Sequence, residues 1–202
     1  SRGTTGTDGS IQLKAVGDIT DTASAGLIGD ASGQLKVWST VGKIDLASST
    51  TNAMKTATFQ TDTTGAAGSV KYYDTSDLTL ATVANGLSTL AAPSGTSANI
   101  GATTKAVSTV AGGANGAVTL RAGTAGTSAL DVNAAISTVS TTANTGGGNV
   151  ILEAGGAITS AVAGSITTTG NGNAAGGEVF IDHTTAGTRG TTLNGAITAQ
   201  GR

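Results

Sequence analysis

Cysteine is absent from this chain, proline occurs once, and only five residues are aromatic. Without cysteine there is no disulfide scaffold and no thiolate-ligated zinc or iron–sulfur site. Charged residues make up 11% and nearly cancel to −2, so no basic footprint for nucleic acid or anionic lipid is present. No apolar run approaches the ~18–20 residues needed to cross a bilayer as a helix. Five aromatics cannot build the two girdles of a membrane β-barrel. What fills the chain instead is small: 38 Thr, 34 Ala, 32 Gly and 18 Ser in 202 residues. Thr, Ser and Gly are poor helix formers, whereas Thr and Val favour strands and Gly favours turns. With Leu, Ile, Val and Phe at only 38 positions, a thick two-layer core cannot be filled, but a thin one can. Disorder is disfavoured because it needs high net charge as well.

The chain repeats itself. Residues 9–20 read GSIQLKAVGDIT and residues 148–159 read GNVILEAGGAIT. Residues 68–79 (GSVKYYDTSDLT) and 33–45 (GQLKVWSTVGKID, with one insertion) follow the same pattern. GAVTLRA at 116–122 and GEVFID at 177–182 match its first half. In each unit a Gly opens a turn and apolar residues then alternate at period two, which sets them on one face of a strand. A bend and a second short strand follow. The expected inward positions are Ile11, Leu13, Ile19, Leu35, Val37, Ile44, Val70, Leu78, Val118, Leu120, Val150, Leu152, Ile158, Val179 and Ile181. Tyr72 is expected in the core and Tyr73 on the surface, with Trp38 outward or at the core edge and Pro93 in a loop. One such unit cannot bury its own seam; stacked copies can.

These patterns predict an all-β fold: a right-handed parallel β-helix (β-solenoid) with irregular Gly/Thr/Ala-rich corners, one domain over residues 1–202. The unit starts at 9, 33, 68, 116, 148 and 177 suggest about 7–9 coils at roughly 20–30 residues each. In this reading the long interval from 68 to 116 holds an extra coil using Ile100, or Val107 and Val110.

The unit G-[SN]-[IV]-x-[LY]-x5-[IL]-T, with GAITS, GSITT and NGAITAQG nearby, resembles the repeats of filamentous haemagglutinin-type proteins over about two-thirds of the chain. The resemblance implies a secreted bacterial adhesin built on a right-handed parallel β-helix. The secretion domain of that family has no counterpart in these 202 residues, which implies a segment or processed subunit of something longer. RGTT recurs at 2–5 and 189–192 and neither end reads as a cap, so neighbouring coils of the same chain or head-to-tail copies are the expected partners.

Chemistry-bearing residues are sparse. His183 is the only His, and its neighbour Asp182 is expected on the opposite strand face, which disfavours a catalytic pairing. Glu153 and Glu178 are the only glutamates and read as solvated positions of neighbouring coils. The Gly runs at 112–120 and 146–152 lack the Asp that a calcium-binding nonapeptide needs. Asp8, Asp18, Asp21 and Asp30 read as turn residues. No catalytic set, cofactor or metal site is expected, and the chain does not read as an enzyme. The expected function is a secreted or cell-surface structural and adhesive rod or filament subunit, with host or matrix carbohydrate as a partner. The alternative is an ice- or carbohydrate-binding solenoid, though the Thr-x-Thr pairs at 5/7, 20/22, 56/58, 61/63 and 167/169 fall at irregular gaps. A polysaccharide-cleaving β-helix enzyme is a third reading, disfavoured by four Arg in total.

Overall fold

The computed structural model describes residues 10–23, 33–49, 51–62, 68–81, 105–109, 116–123, 128–184 and 190–200. The chain is mostly β, with almost no helix, and every strand pairing among the described residues is parallel. In chain order the strands are β1 (Ser10–Ala15), β2 (Ile19–Thr20), β3 (Gln34–Ser39), β4 (Ile44–Leu46), β5 (Thr56–Thr61) and β6 (Val70–Asp74). Then come β7 (Leu78–Leu80), β8 (Val107–Ser108), β9 (Val118–Ala122), β10 (Leu130–Val132), β11 (Ile136–Ser137) and β12 (Val150–Ala154). The last are β13 (Ile158–Ser160), β14 (Ile166–Thr167), β15 (Val179–His183), β16 (Thr191–Leu193) and β17 (Ile197–Thr198).

Two parallel sheets result. One has six strands in the order β2-β4-β6-β9-β12-β15. The other has eleven: β1, β3 and β5 stack in turn, and β5 then pairs with two short strands end to end. Thr56 and Ala57 face Thr79 and Leu80 of β7, while Phe59 and Gln60 face Val107 and Ser108 of β8. From this fork two stacks continue, β7-β10-β13-β16 and β8-β11-β14-β17. Parallel neighbours need a crossover between them, and here each crossover runs through the other sheet.

The register keeps inward residues in columns. Ile19, Ile44, Val70, Val118, Val150 and Val179 form one column. Leu46, Tyr72, Leu120, Leu152 and Ile181 form the next. In the larger sheet Leu13, Val37, Phe59, Val107, Ile136, Ile166 and Ile197 align. Most of these side chains are buried to within 2% and form one narrow cluster. Phe59 and Tyr72, from opposite sheets, meet at 5.1 Å between ring centroids in its middle.

Threonine and glycine meet at the corners. Buried Thr61, Thr109, Thr138 and Thr168 donate their hydroxyls to the carbonyls of Gly68, Gly116, Gly148 and Gly177 at 2.6, 2.8, 2.6 and 2.6 Å. These glycines open the four later repeat units. A Cβ on Gly148 would lie 2.3 Å from the Gly116 carbonyl oxygen, and one on Gly177 would lie 2.3 Å from that of Gly148. The corner therefore admits no side chain, and a Thr seven to ten residues earlier satisfies its carbonyl. Ser39 serves an early corner, donating to the Gly17 carbonyl and accepting from the Gly42 N–H, both at 2.8 Å.

Side chains of one pass also hold the backbone of the next. Asp18 accepts from the Lys43 N–H (3.0 Å), Asp77 from Ala129 (2.9 Å) and Asn149 from Glu178 (2.9 Å). Asp18 and Asp21, read as turn residues, thus act between passes: Asp21 accepts from the N–H groups of Ser48 and Ser49. Asp8 and Asp30 lie outside the described residues.

Two expectations are corrected. The first concerns phase. The units starting at 9 and 33 place their first strands, β1 and β3, in the eleven-stranded sheet, whereas those starting at 68, 116, 148 and 177 place theirs in the six-stranded sheet. Ile19 and Ile44 consequently align with Val70, not with Leu78. Period-two alternation fixes which residues face inward but is blind to which sheet a strand joins. The second concerns the number of passes. Val70 pairs directly with Val118, so no extra strand of the six-stranded sheet fits between them. The additional residues, 81–106, separate β7 from β8, where later passes use only 133–135, 161–165 and 194–196. Val107 belongs to β8 of that same pass, while Ile100 and Val110 lie outside the described residues. The described chain makes six passes, one per strand of the six-stranded sheet, where the unit spacing suggested seven to nine.

Candidate functional surfaces

Ten of the expected inward residues are buried: Leu35, Val37, Ile44, Val70, Leu78, Val118, Leu120, Val150, Leu152 and Ile158. Ile11, Leu13, Ile19, Val179 and Ile181 are half-buried against the same cluster. All five belong to the first or last strands of the stack, where a pass lies on one side only among the described residues. At the last pass Ile197 is 44% exposed, although Val107, Ile136 and Ile166 in its column are at most 1% exposed.

The outward side of the six-stranded sheet carries the richest chemistry. Alternation turns Tyr73, Arg121, Glu153 and Asp182 outward in one register column. The Arg121 guanidinium lies 4.2 Å from the Tyr73 ring centroid and reaches Glu153 Oε2 at 2.6 Å through both Nε and Nη2. Lys71 approaches the same ring at 5.1 Å. Ile151 and the 48%-exposed Phe180 sit side by side in the adjacent column. The outward side thus carries a half-buried cation–aromatic–carboxylate row with an apolar margin.

The outward side of the larger sheet holds a different column: Gln34, Thr56, Thr79, Asp131, Thr159 and Thr192. Thr159 donates to Asp131 Oδ1 at 2.5 Å. The irregular Thr-x-Thr pairs did not announce this column, because its members come from one position of successive passes. Further along, Lys14 stacks 4.2 Å over Trp38, whose indole N–H donates to Asp62 at 2.5 Å.

Two charged residues are buried among the described residues, and sequence reasoning singled out neither. Lys36 stands between Leu35 and Val37 on the side of β3 away from the core, yet its side chain is fully covered, and loss of water lowers its pKa. Asp74 closes the corner after β6. Its Oδ2 accepts from the Tyr72 hydroxyl (2.6 Å) and the Met54 N–H (2.8 Å), and its Oδ1 from the Ser76 N–H (2.8 Å) and hydroxyl (2.7 Å). Burial raises its pKa against the opposing pull of these hydrogen bonds. Burial, with Asp74 beside it, raises that of Tyr72. This carboxylate ties the bend at Met54 to the turn at Ser76 in the next pass, which is a structural task.

The remaining candidates stay apart. The ring nitrogens of His183 meet the Gly156 carbonyl (2.8 Å) and the Thr191 hydroxyl (3.0 Å), while Asp182 accepts from the His183 backbone N–H. Glu153 is in register with Asp182, not Glu178. Among the described residues no three His, Asp or Glu side chains gather as a metal site. Pro93 lies outside the described residues. No family model, curated protein or solved structure matches this chain.

Proposed function

We propose that the six passes form a right-handed parallel β-solenoid and that the chain is a structural and adhesive element of a secreted or cell-surface fibre. Right-handedness follows from the strong preference of parallel crossovers. The observation that carries the reading is the register: each described strand after the first two pairs in parallel with its counterpart one pass earlier, and the inward side chains of the first and last described strands are only partly buried. A rod of this kind is stiffened by ladder hydrogen bonds and corner clamps instead of a broad core, which suits a composition of small residues. Lack of cysteine fits a chain kept unfolded during export. The Tyr73–Arg121–Glu153 row and its Phe180 margin supply a contact face for matrix carbohydrate or protein. Stacking of copies end to end would build the fibre. Cryo-electron microscopy of the native secreted material tests this: rods or filaments with an axial repeat of about 4.8 Å are expected. Compact particles without that repeat would overturn the reading.

A second reading is favoured by the outward column Thr56, Thr79, Thr159 and Thr192: a solenoid that binds ice or crystalline carbohydrate. Asp131 interrupts that column. A thermal-hysteresis assay separates the two, with no activity expected for a structural rod.

A further inference from the structure

We infer that two copies join by continuing both sheets in register, β1 of one copy pairing with β16 and β17 of another while its β2 pairs with β15. This rests on the stacking solenoid proposed above and specifies its joint. The molecule contains the pattern for that joint at β5. There a six-residue strand pairs along one edge with two short strands, Thr56 and Ala57 meeting Thr79 and Leu80, and Phe59 and Gln60 meeting Val107 and Ser108. β1 is a six-residue strand of the same column, its Ser10 and Ile11 aligned through β3 with Thr56 and Ala57, and its Leu13 and Lys14 with Phe59 and Gln60. β16 and β17 are the short pair of the last pass, with Thr192 and Leu193 aligned to Thr79 and Leu80, and Ile197 and Thr198 aligned to Val107 and Ser108.

Reading the β5 junction in the opposite stacking order fixes the contacts between copies. Ser10 meets Thr192, Ile11 meets Leu193, Leu13 meets Ile197 and Lys14 meets Thr198. In the other sheet Ile19 meets Val179, the extension of a column that is Ile or Val throughout. Every inward contact then joins two apolar residues. The described residues these contacts would cover, Ile11, Leu13, Ile19, Val179, Leu193 and Ile197, are half-buried or exposed in the single chain. A slip of one residue would set Gln12 or Lys14 over Leu193 or Ile197, so the seam specifies its own register. The occupant is a second copy of this chain, because its β1 is an unbroken six-residue strand in the register that the split pair β16 and β17 presents, as β5 is to β7 and β8.

The chain has no cysteine, so introduced pairs report cleanly. Parallel neighbours lie about 4.8 Å apart, inside the Cα range of a disulfide. The double variant Lys14→Cys/Thr198→Cys should give a ladder of covalent oligomers on mild oxidation. Its out-of-register control, Lys14→Cys/Thr192→Cys, should give none. Ile197→Lys should abolish assembly while leaving the circular dichroism and melting of the single chain unchanged. Equal cross-linking of both pairs would overturn the register. Filaments by electron microscopy without the 14/198 ladder would overturn this joint but leave stacking intact. Monomeric rods by light scattering at all accessible concentrations, with no ladder, would overturn both.

Discussion

Replacing Thr138 by Val isolates the corner hydroxyl. Thr138 is fully buried, its Oγ1 donates to the Gly148 carbonyl at 2.6 Å, and its own carbonyl accepts from the Gly148 N–H at 3.0 Å. Val keeps the shape and the backbone half of this clamp and removes only the hydroxyl donor. Losing a buried hydrogen bond and leaving its acceptor unsatisfied costs about 1–3 kcal/mol, and the added methyl returns at most about 0.8 kcal/mol. The net loss is about 0.2–3 kcal/mol. For a chain of this size that is a fall of up to about 12 °C in melting temperature, or a lower urea midpoint at unchanged slope. Thr119→Val is the control: Thr119 is an outward, half-exposed strand residue, where Val is expected to be neutral within about 0.5 kcal/mol. Urea unfolding followed by circular dichroism compares the two. Equal midpoints for both variants would mean that the Thr–Gly ladder merely accompanies packing and that the abundance of threonine has another cause. Thr168 makes the same clamp one pass on, donating to Gly177 at 2.6 Å and accepting from its N–H at 2.7 Å. Thr138→Val/Thr168→Val should therefore be non-additive, as expected for neighbours sharing a column.

Leu152→Asp puts a carboxylate at a fully buried position between Leu120 and Ile181 and should unfold the adjacent passes, seen as loss of amide protection around β9, β12 and β15. A variant that melts like the parent would mean that Leu152 does not face inward. Gly177→Ala places a methyl 2.3 Å from the Gly148 carbonyl oxygen, so the last pass should loosen while the first stays protected from hydrogen exchange. Unchanged protection across β15 to β17 would refute the close approach of the corners. Asp74 sets a pH dependence. Its folded-state pKa is raised above the ordinary 3.8, so its contribution is fully present below that value and is lost as pH rises through the folded value. Asp74→Asn should remove that part of the slope of stability against pH, and an unchanged slope would show that another group carries it.

The inward residues were legible because period-two alternation survives in every long strand, whether the sequence reads IQLKA, VILEA or VFID. The corner glycines were legible as unit starts, although their reason was not: the partner threonine lies seven to ten residues away and looks like any other of the 38. The phase of the repeat was not legible at all. β1, β3 and β5 are long strands of the larger sheet, and from β6 onward the long strands belong to the other sheet. A local pattern read in isolation carries no information about that exchange. Two-residue strands such as Ile136–Ser137 and Ile166–Thr167 were missed for a related reason, since alternation needs more than two positions to register. The buried charges fall into a third class. Lys36 occupies an outward-facing slot by every local rule, and only the assembled chain covers it.

The exchange of strand lengths at β5 has an architectural consequence. Before it, each pass has one long strand in the larger sheet and a short strand in the other. After it, each pass lays a five-residue strand in the smaller sheet and two short strands in the larger, with an additional bend between them. β5 is compatible with both because its backbone spans the bend that β7 and β8 leave open, with Thr58 donating to the Ala106 carbonyl at the gap. That junction is also the only place among the described residues where a long strand accommodates a split pass, and it does so with Ala57 and Phe59 fully covered. A stack whose first described strand is long and whose last described pass is split can repeat the register of that junction between molecules, with the stacking order reversed, which is why the cross-linking register, more than the presence of filaments, tests the proposed joint.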